Sequence, residues 1–138
     1  MAEKIVVITG PTATGKTRLS VELAKKFGGE IVSADSMQIY RGMDIGTAKV
    51  THTEMQGVTH HMIDIADPTE VYSVSRYVED ANKAVQDILA RGRLPIIAGG
   101  TNLYIDSLIS GLDFAERAED NAPVSYTHLR AHETKANL

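Results

Sequence analysis

The 138-residue chain has no cysteine, so a disulfide framework and any thiolate-ligated metal site are excluded. It has no run of apolar residues long enough to cross a bilayer. The opening, MAEKIVVITG, enters a strand directly and lacks the shape of a signal peptide, so the expectation is a cytoplasmic protein without membrane contact. There is no excess of positive charge: the formal net charge is -4. Any grip on nucleic acid must come from a local patch or from further chain. No internal repeat is evident. What the chain does have is 43% hydrophobic residues, enough to exclude wholesale disorder and to supply one domain with a core.

Those residues fall into alternating strand and helix patterns. KIVVIT (4–9) is a short, β-branched apolar run of the kind buried in a parallel sheet. KTRLSVELAKKF follows, with Leu19, Leu23 and Phe27 spaced four apart on one helical face and Gly28-Gly29 as the stop. EIVSA (30–34) is a second strand, ending at Asp35. Residues 36–57 show no clear period and read as loop with short helical turns. VTHHMIDI (58–65) reads as a strand closed by Asp67-Pro68. A helical stripe runs from 73 to 91, with Ser73 as N-cap and Gly92 as stop, and LPIIA (94–98) is another buried strand. A last helix is expected from Asn102 to Ser110, with Gly111 beyond its end. Alternation of this kind implies right-handed crossovers and a doubly wound α/β sheet of the P-loop NTPase-like kind. Because parallel strands share one carboxyl edge, Gly10 to Thr17, Asp35 and Gly99 to Thr101 are expected to line one crevice.

GPTATGKT occupies the turn between the first strand and the first helix and matches G-x-x-x-x-G-K-[ST]. In such a loop the residues Gly10, Pro11, Thr12, Ala13, Thr14 and Gly15 curl so that backbone N–H groups point inward. Lys16 adds a positive charge, Thr17 offers a hydroxyl to Mg²⁺, and the helix dipole favours an anion. Phosphate binding follows from this pattern, and phosphate cleavage does not. Asp35 has three readings: a Walker-B carboxylate serving Mg²⁺, a base facing an acceptor, or a turn aspartate after a strand. Thr101, in GGTNLY, either caps the following helix or touches a ligand. His60 and His61 are neighbours on a strand and so point to opposite faces, which argues against one ion held by both. A buried histidine hydrogen-bonded beneath the crevice is the simpler reading. Met37, Tyr40 and Met43 read as packing, with a place beside Asp35 that could serve a base or an apolar ligand.

Taken together, GPTATGKT, DSMQIYRGMDIGTAK (35–49), HHMIDI (60–65) and AGGTNLY (98–104) resemble, in order and spacing, the bacterial tRNA dimethylallyltransferases of the tRNA isopentenyltransferase family. The resemblance runs from residue 4 to about Asp113-Phe114. It implies transfer of a dimethylallyl group from dimethylallyl diphosphate to the N6 amine of an adenosine adjacent to the tRNA anticodon. It further implies that the loop from Gly10 to Thr17 holds the diphosphate with Mg²⁺, that Lys16 and Thr17 stabilise the departing pyrophosphate, and that Asp35 is the general base. Ser36, Met37 and Gln38 would contact the adenosine and its neighbours in the anticodon stem-loop, and Thr101 the tRNA. Three other readings share the loop: a small-metabolite kinase that binds ATP, an adenylate isopentenyltransferase using a free nucleotide, and an inert pyrophosphate-binding fragment. Residues 1–115 are read as a partial core. Beyond Phe114 the chain departs from the family, and VSYTHLRAHET reads as a foreign stretch from a cloning or assembly junction, so residues 116–138 are set outside the fold and His128 and His132 are given no role.

Overall fold

The computed structural model describes residues 3–9, 16–42, 52–119 and 124–130. Five strands, β1 (Glu3–Thr9), β2 (Gly29–Ser33), β3 (His60–His61), β4 (Leu94–Ala98) and β5 (Val124–Arg130), form one sheet in the order β3-β2-β4-β1-β5. Every pairing is parallel. Helices α1 (Lys16–Phe27), α2 (His52–Met55), α3 (Val74–Ala90) and α4 (Asn102–Glu119) make the crossovers. This is the doubly wound α/β architecture expected from the alternation.

The central strands are apolar on both faces because both faces are covered. Successive side chains point to opposite sides, so Val7, Val32 and Ile97 enter one cluster and their neighbours Ile8, Ile31 and Ile96 the other. On the first face α3 contributes Tyr77, Ala81, Val85 and Ile88, and α4 contributes Tyr104, Ile105 and Leu108. On the second face α1 contributes Leu19, Val21 and Ala24. Phe27 is the exception to the expected stripe on α1. It is 57% exposed, and the Lys26 ammonium lies 5.6 Å from its ring centre. The buried stripe passes through Ser20, Val21 and Ala24 and so turns away before the last turn.

Three boundaries differ from the sequence reading. The strand expected over 58–65 is confined to His60–His61, because Met62 and Asp64 take positive φ values of 70° and 58°. The chain there leaves the ladder to bond the loop after β2: Asp64 N–H donates to the Gln38 carbonyl (3.0 Å) and Ile65 N–H to that of Ile39 (2.8 Å). Secondly, α4 does not stop at Gly111. A Cβ there would lie 3.3 Å from Val78 Cγ1, so this glycine is the point where α3 and α4 approach, and the helix continues to Glu119. Thirdly, residues set outside the fold partly enter it, since Val124–Arg130 pairs with β1 from Glu3↔Val124 to Thr9↔Arg130. The physical reason lies in β1, which would otherwise be an edge strand with a row of open N–H and C=O groups. Such an edge pairs through its backbone with whichever extended segment reaches it.

Candidate active site at the carboxyl edge of the sheet

β1, β2 and β4 end side by side, and the chain leaving each of them is tied to its neighbours. Ala34 N–H donates to the Ala98 carbonyl at 2.9 Å, Gly99 N–H to that of Ile8 at 3.2 Å, and Thr101 N–H to that of Ala34 at 3.0 Å. The contact is too close for any side chain at position 99: a Cβ on Gly99 would fall 2.3 Å from the carbonyl carbon of Ala34. The glycine therefore lets the entrance to α4 press against the segment carrying Asp35. This close approach brings Asp35 and Thr101 together, as the parallel topology anticipates.

Asp35 is half-buried, and its two carboxylate oxygens have different surroundings. One accepts from Met37 N–H at 3.0 Å, while the Asp35 carbonyl accepts from Gln38 N–H at 3.1 Å, closing a side-chain-supported turn. The other oxygen takes no hydrogen bond among the described residues. The turn reading therefore holds for one oxygen. Ser36 N–H donates to Thr101 Oγ1 at 3.0 Å, and Thr101 Oγ1 lies 3.4 Å from Ser36 Oγ. Thr101 opens α4 with its carbonyl, which accepts from Tyr104 and Ile105 N–H, but it spends its hydroxyl on the Asp35 loop rather than on its own helix. Met37 is 43% exposed on the rim. Gln38 folds back so that its Oε1 accepts from Ser33 Oγ at 3.0 Å.

Aromatic residues support this loop from below. The Tyr77 hydroxyl, buried, donates to the Ser33 carbonyl at 2.8 Å. Its ring stacks on Tyr104 with centres 4.1 Å apart and planes 15° from parallel. Burial, then the neighbouring Tyr40 and Asp35, raise the pKa of the Tyr104 phenol. The sequence reading did not anticipate these tyrosines or Ser33. Their signal was a tyrosine on the buried stripe of α3, a type whose hydroxyl requires a partner when buried.

Of the phosphate-loop residues, Gly10, Pro11, Thr12, Ala13, Thr14 and Gly15 lie outside the described residues, as do the Lys16 side chain and Met43. The flanks fit the motif: β1 ends at Thr9 and α1 begins at Lys16. Thr17 is half-buried in the first turn, with its carbonyl accepting from Ser20 Oγ at 2.9 Å. The Thr17 hydroxyl is an oxygen donor of the kind a hard cation takes. No group of three or more metal-binding side chains occurs among the described residues.

The histidines belong elsewhere. His60 Nδ1 pairs with the Val58 carbonyl at 3.0 Å, and burial lowers its pKa. His61 Nε2 lies 2.7 Å from Glu30 Oε1. Glu30, nearly fully buried, also meets Arg91, which binds both its oxygens, and Arg93 at 3.6 Å. Hydrogen bonds from Arg91, outweighing burial and aided by His61, hold the Glu30 carboxyl at about 2. This cluster sits at the amino end of β2, away from Asp35, so neither histidine lies under the crevice.

A family model described as IPP transferase matches residues 38–138. The tRNA dimethylallyltransferase of Caldanaerobacter subterraneus subsp. tengcongensis is 60% identical over 116 residues, covering 84% of this chain and 37% of that protein. That of Staphylococcus carnosus is 64% identical over 110 residues, covering 80% and 35%. Among solved structures, the full-length tRNA isopentenylpyrophosphate transferase of Bacillus halodurans superposes with a TM-score of 0.77 at 56% identity, over 79% of this chain and 36% of that one. A eukaryotic dimethylallyltransferase, captured acting on tRNA, superposes with a TM-score of 0.75 at 40% identity, covering 78% and 27%. The chain thus spans between about a quarter and little more than a third of the length of these relatives, and within that span it has their fold. It belongs to the IPP transferase family.

Proposed function

We propose that the full-length protein transfers a dimethylallyl group from dimethylallyl diphosphate to the N6 amine of an adenosine adjacent to the anticodon of a tRNA. The observation that carries this reading is the junction of the Asp35 loop with the start of α4: Met37 N–H holds one Asp35 oxygen at 3.0 Å and Ser36 N–H donates to Thr101 Oγ1 at 3.0 Å. A relative named tRNA dimethylallyltransferase is 64% identical over 110 residues.

In this reading the backbone N–H groups of Gly10 and residues 12–15, with Lys16 and Thr17, hold the diphosphate at the start of α1. The bond between the allylic carbon and the diphosphate oxygen breaks as the bond to N6 forms. The electron pair leaves with the diphosphate, whose growing charge faces Lys16 and the helix N-terminus. Mg²⁺, when bound through Thr17 and the diphosphate, supplies further positive charge to the leaving group. The open Asp35 oxygen accepts the proton that N6 sheds. Thr101 fixes Ser36 and with it the position of Asp35, while Met37 and Gln38 lie where a base turned out of its stack would pass. The protein then works in the cytoplasm, where tRNA is. No described helix is long and apolar enough to cross a membrane.

The test uses a chimera in which residues 1–113 replace the matching segment of the Bacillus halodurans transferase. Incubated with Mg²⁺, dimethylallyl diphosphate and an anticodon stem-loop RNA, it should yield an N6-prenylated adenosine. Calorimetry should show tighter binding of dimethylallyl diphosphate than of ATP. Phosphoryl transfer from ATP would support a kinase instead, and prenylation of free AMP but not RNA would support the adenylate enzyme.

A further inference from the structure

The strand order places β4 between β1 and β2, so the two halves of the proposed site do not stand side by side. The phosphate loop follows β1 and Asp35 follows β2, and two strand spacings, about 10 Å, separate the ends of those strands. What lies in between is the end of β4. Its last residue, Ala98, is level with Ile8 of β1 on one side and with Ser33 of β2 on the other. The ladder holds on both sides at this level: Gly99 N–H donates to the Ile8 carbonyl at 3.2 Å, and Ala34 N–H to the Ala98 carbonyl at 2.9 Å. One residue then drops out of it. In a regular parallel pairing the Ala34 carbonyl, opposite Gly99, would take the N–H of Gly100. It takes that of Thr101 instead, at 3.0 Å. Gly100 is passed over, an extra residue of the kind found beside active sites, and it is exposed while Gly99 is buried. Its backbone does not demand glycine, because the described glycines with positive φ are Gly28, Gly42, Gly57 and Gly92.

Prenyl transfer needs room at this place. The carboxylate oxygen, N6, the allylic carbon and the diphosphate oxygen must follow one another across the gap. A hydrogen bond of about 3 Å and a reacting distance of about 3–3.5 Å fill more than half of it, and the carbon–oxygen link to phosphorus fills most of the rest. The allylic carbons therefore lie over the end of β4. Resting on the proposed prenyl transfer, we propose that Gly100 is a specificity-determining residue for the donor. The space left by its absent side chain receives the dimethylallyl group, between the diphosphate at the start of α1 and the amine at Asp35. A side chain at this position competes with the allylic carbons and leaves the phosphates alone.

The test compares the chimera with its Gly100→Ala and Gly100→Val forms. Calorimetry in the presence of Mg²⁺ measures the binding of dimethylallyl diphosphate and of inorganic pyrophosphate to each. Dimethylallyl diphosphate should bind roughly tenfold more weakly to Gly100→Ala and roughly a hundredfold more weakly to Gly100→Val, the usual cost of overfilling a packed space. Pyrophosphate affinity and Tm should match those of the parent. Gly100→Ala, the smaller change, supplies the reading if valine lowers the Tm. Unchanged binding of dimethylallyl diphosphate overturns the proposal. An equal loss of both ligands overturns it too, because position 100 would then serve the phosphates. Either result beside a parent chimera that prenylates RNA contradicts this inference alone. A parent that prenylates no RNA contradicts the proposed function, and the inference falls with it.

Discussion

The two edges of the sheet use carboxylates in opposite ways. At the amino edge Glu30 is 3% exposed and meets Arg91, Arg93 and His61, so its charge is fully answered. At the carboxyl edge Asp35 is half-buried, and among the described residues one of its oxygens accepts from a backbone N–H and the other takes no hydrogen bond. The amino edge also holds a polar hollow of about 460 Å³ lined by Lys25, Gln56, Arg91 and Arg93 among others. Two helices, α1 and α3, end there, and their negative ends are what those cations complement. Concentrated charge and a hollow therefore mark a structural clasp. The carboxyl edge is where polar groups are positioned and left incomplete, the condition a substrate can relieve.

That contrast can be broken by substitution, and after Asp35 itself the largest effect is expected at Lys16. In the chimera, Lys16→Ala should lower kcat/KM for dimethylallyl diphosphate roughly 10²–10³-fold, with weaker donor binding as well as slower turnover. Steady-state kinetics and calorimetry separate the two. A loss confined to the RNA KM would remove Lys16 from the diphosphate site.

Next is Glu30, whose effect should be on stability. Its carboxyl is depressed to about 2, so the stabilisation is present above the ordinary carboxylate range near 4.5 and is lost as pH falls from there towards 2. Arg91 is 41% exposed, so solvent screens part of the pair. Glu30→Gln should destabilise at neutral pH by roughly 2–3 kcal/mol, and its deficit should shrink as pH falls through that window. Urea unfolding at a series of pH values measures it. A pH-independent deficit would mean that packing, not charge, is what Glu30 supplies.

The smallest effect is expected at Thr101. Thr101→Val leaves Ser36 N–H without its acceptor and frees the Asp35 loop, which should cost roughly tenfold in kcat. Thr101→Ser should restore most of it. If valine and serine behave alike, the hydroxyl does not position the loop.

Much of this was legible in the residues. Alternating apolar strands and amphipathic helices specify the sheet, and the parallel edge rule places Asp35 beside Thr101 before any coordinates. Less legible were the features that depend on close approach in three dimensions. Gly111 has the sequence appearance of a helix stop, but only the packing against Val78 shows why it is a glycine inside a helix. Residues 58–65 alternate like a strand, yet bonds to the loop at Gln38 and Ile39 pull Asp64 and Ile65 out of the ladder. The pairing of Val124–Arg130 depends on the open edge of β1, a property of the sheet rather than of the segment. Glu30 at the head of an apolar strand hints at a buried ion pair, but its partners are distant in sequence.

The most direct test of the contrast is Asp35→Asn in the chimera. Asparagine keeps the size and can keep the turn, but it cannot take the proton from N6. The account predicts a fall in kcat of roughly 10²–10⁴-fold, the usual worth of a positioned general base. The KM for dimethylallyl diphosphate should move little and the Tm should match that of the parent. If Asp35→Asn instead abolishes Mg²⁺ or diphosphate binding while the bound fraction turns over normally, Asp35 is a metal-site carboxylate and the base assignment is contradicted.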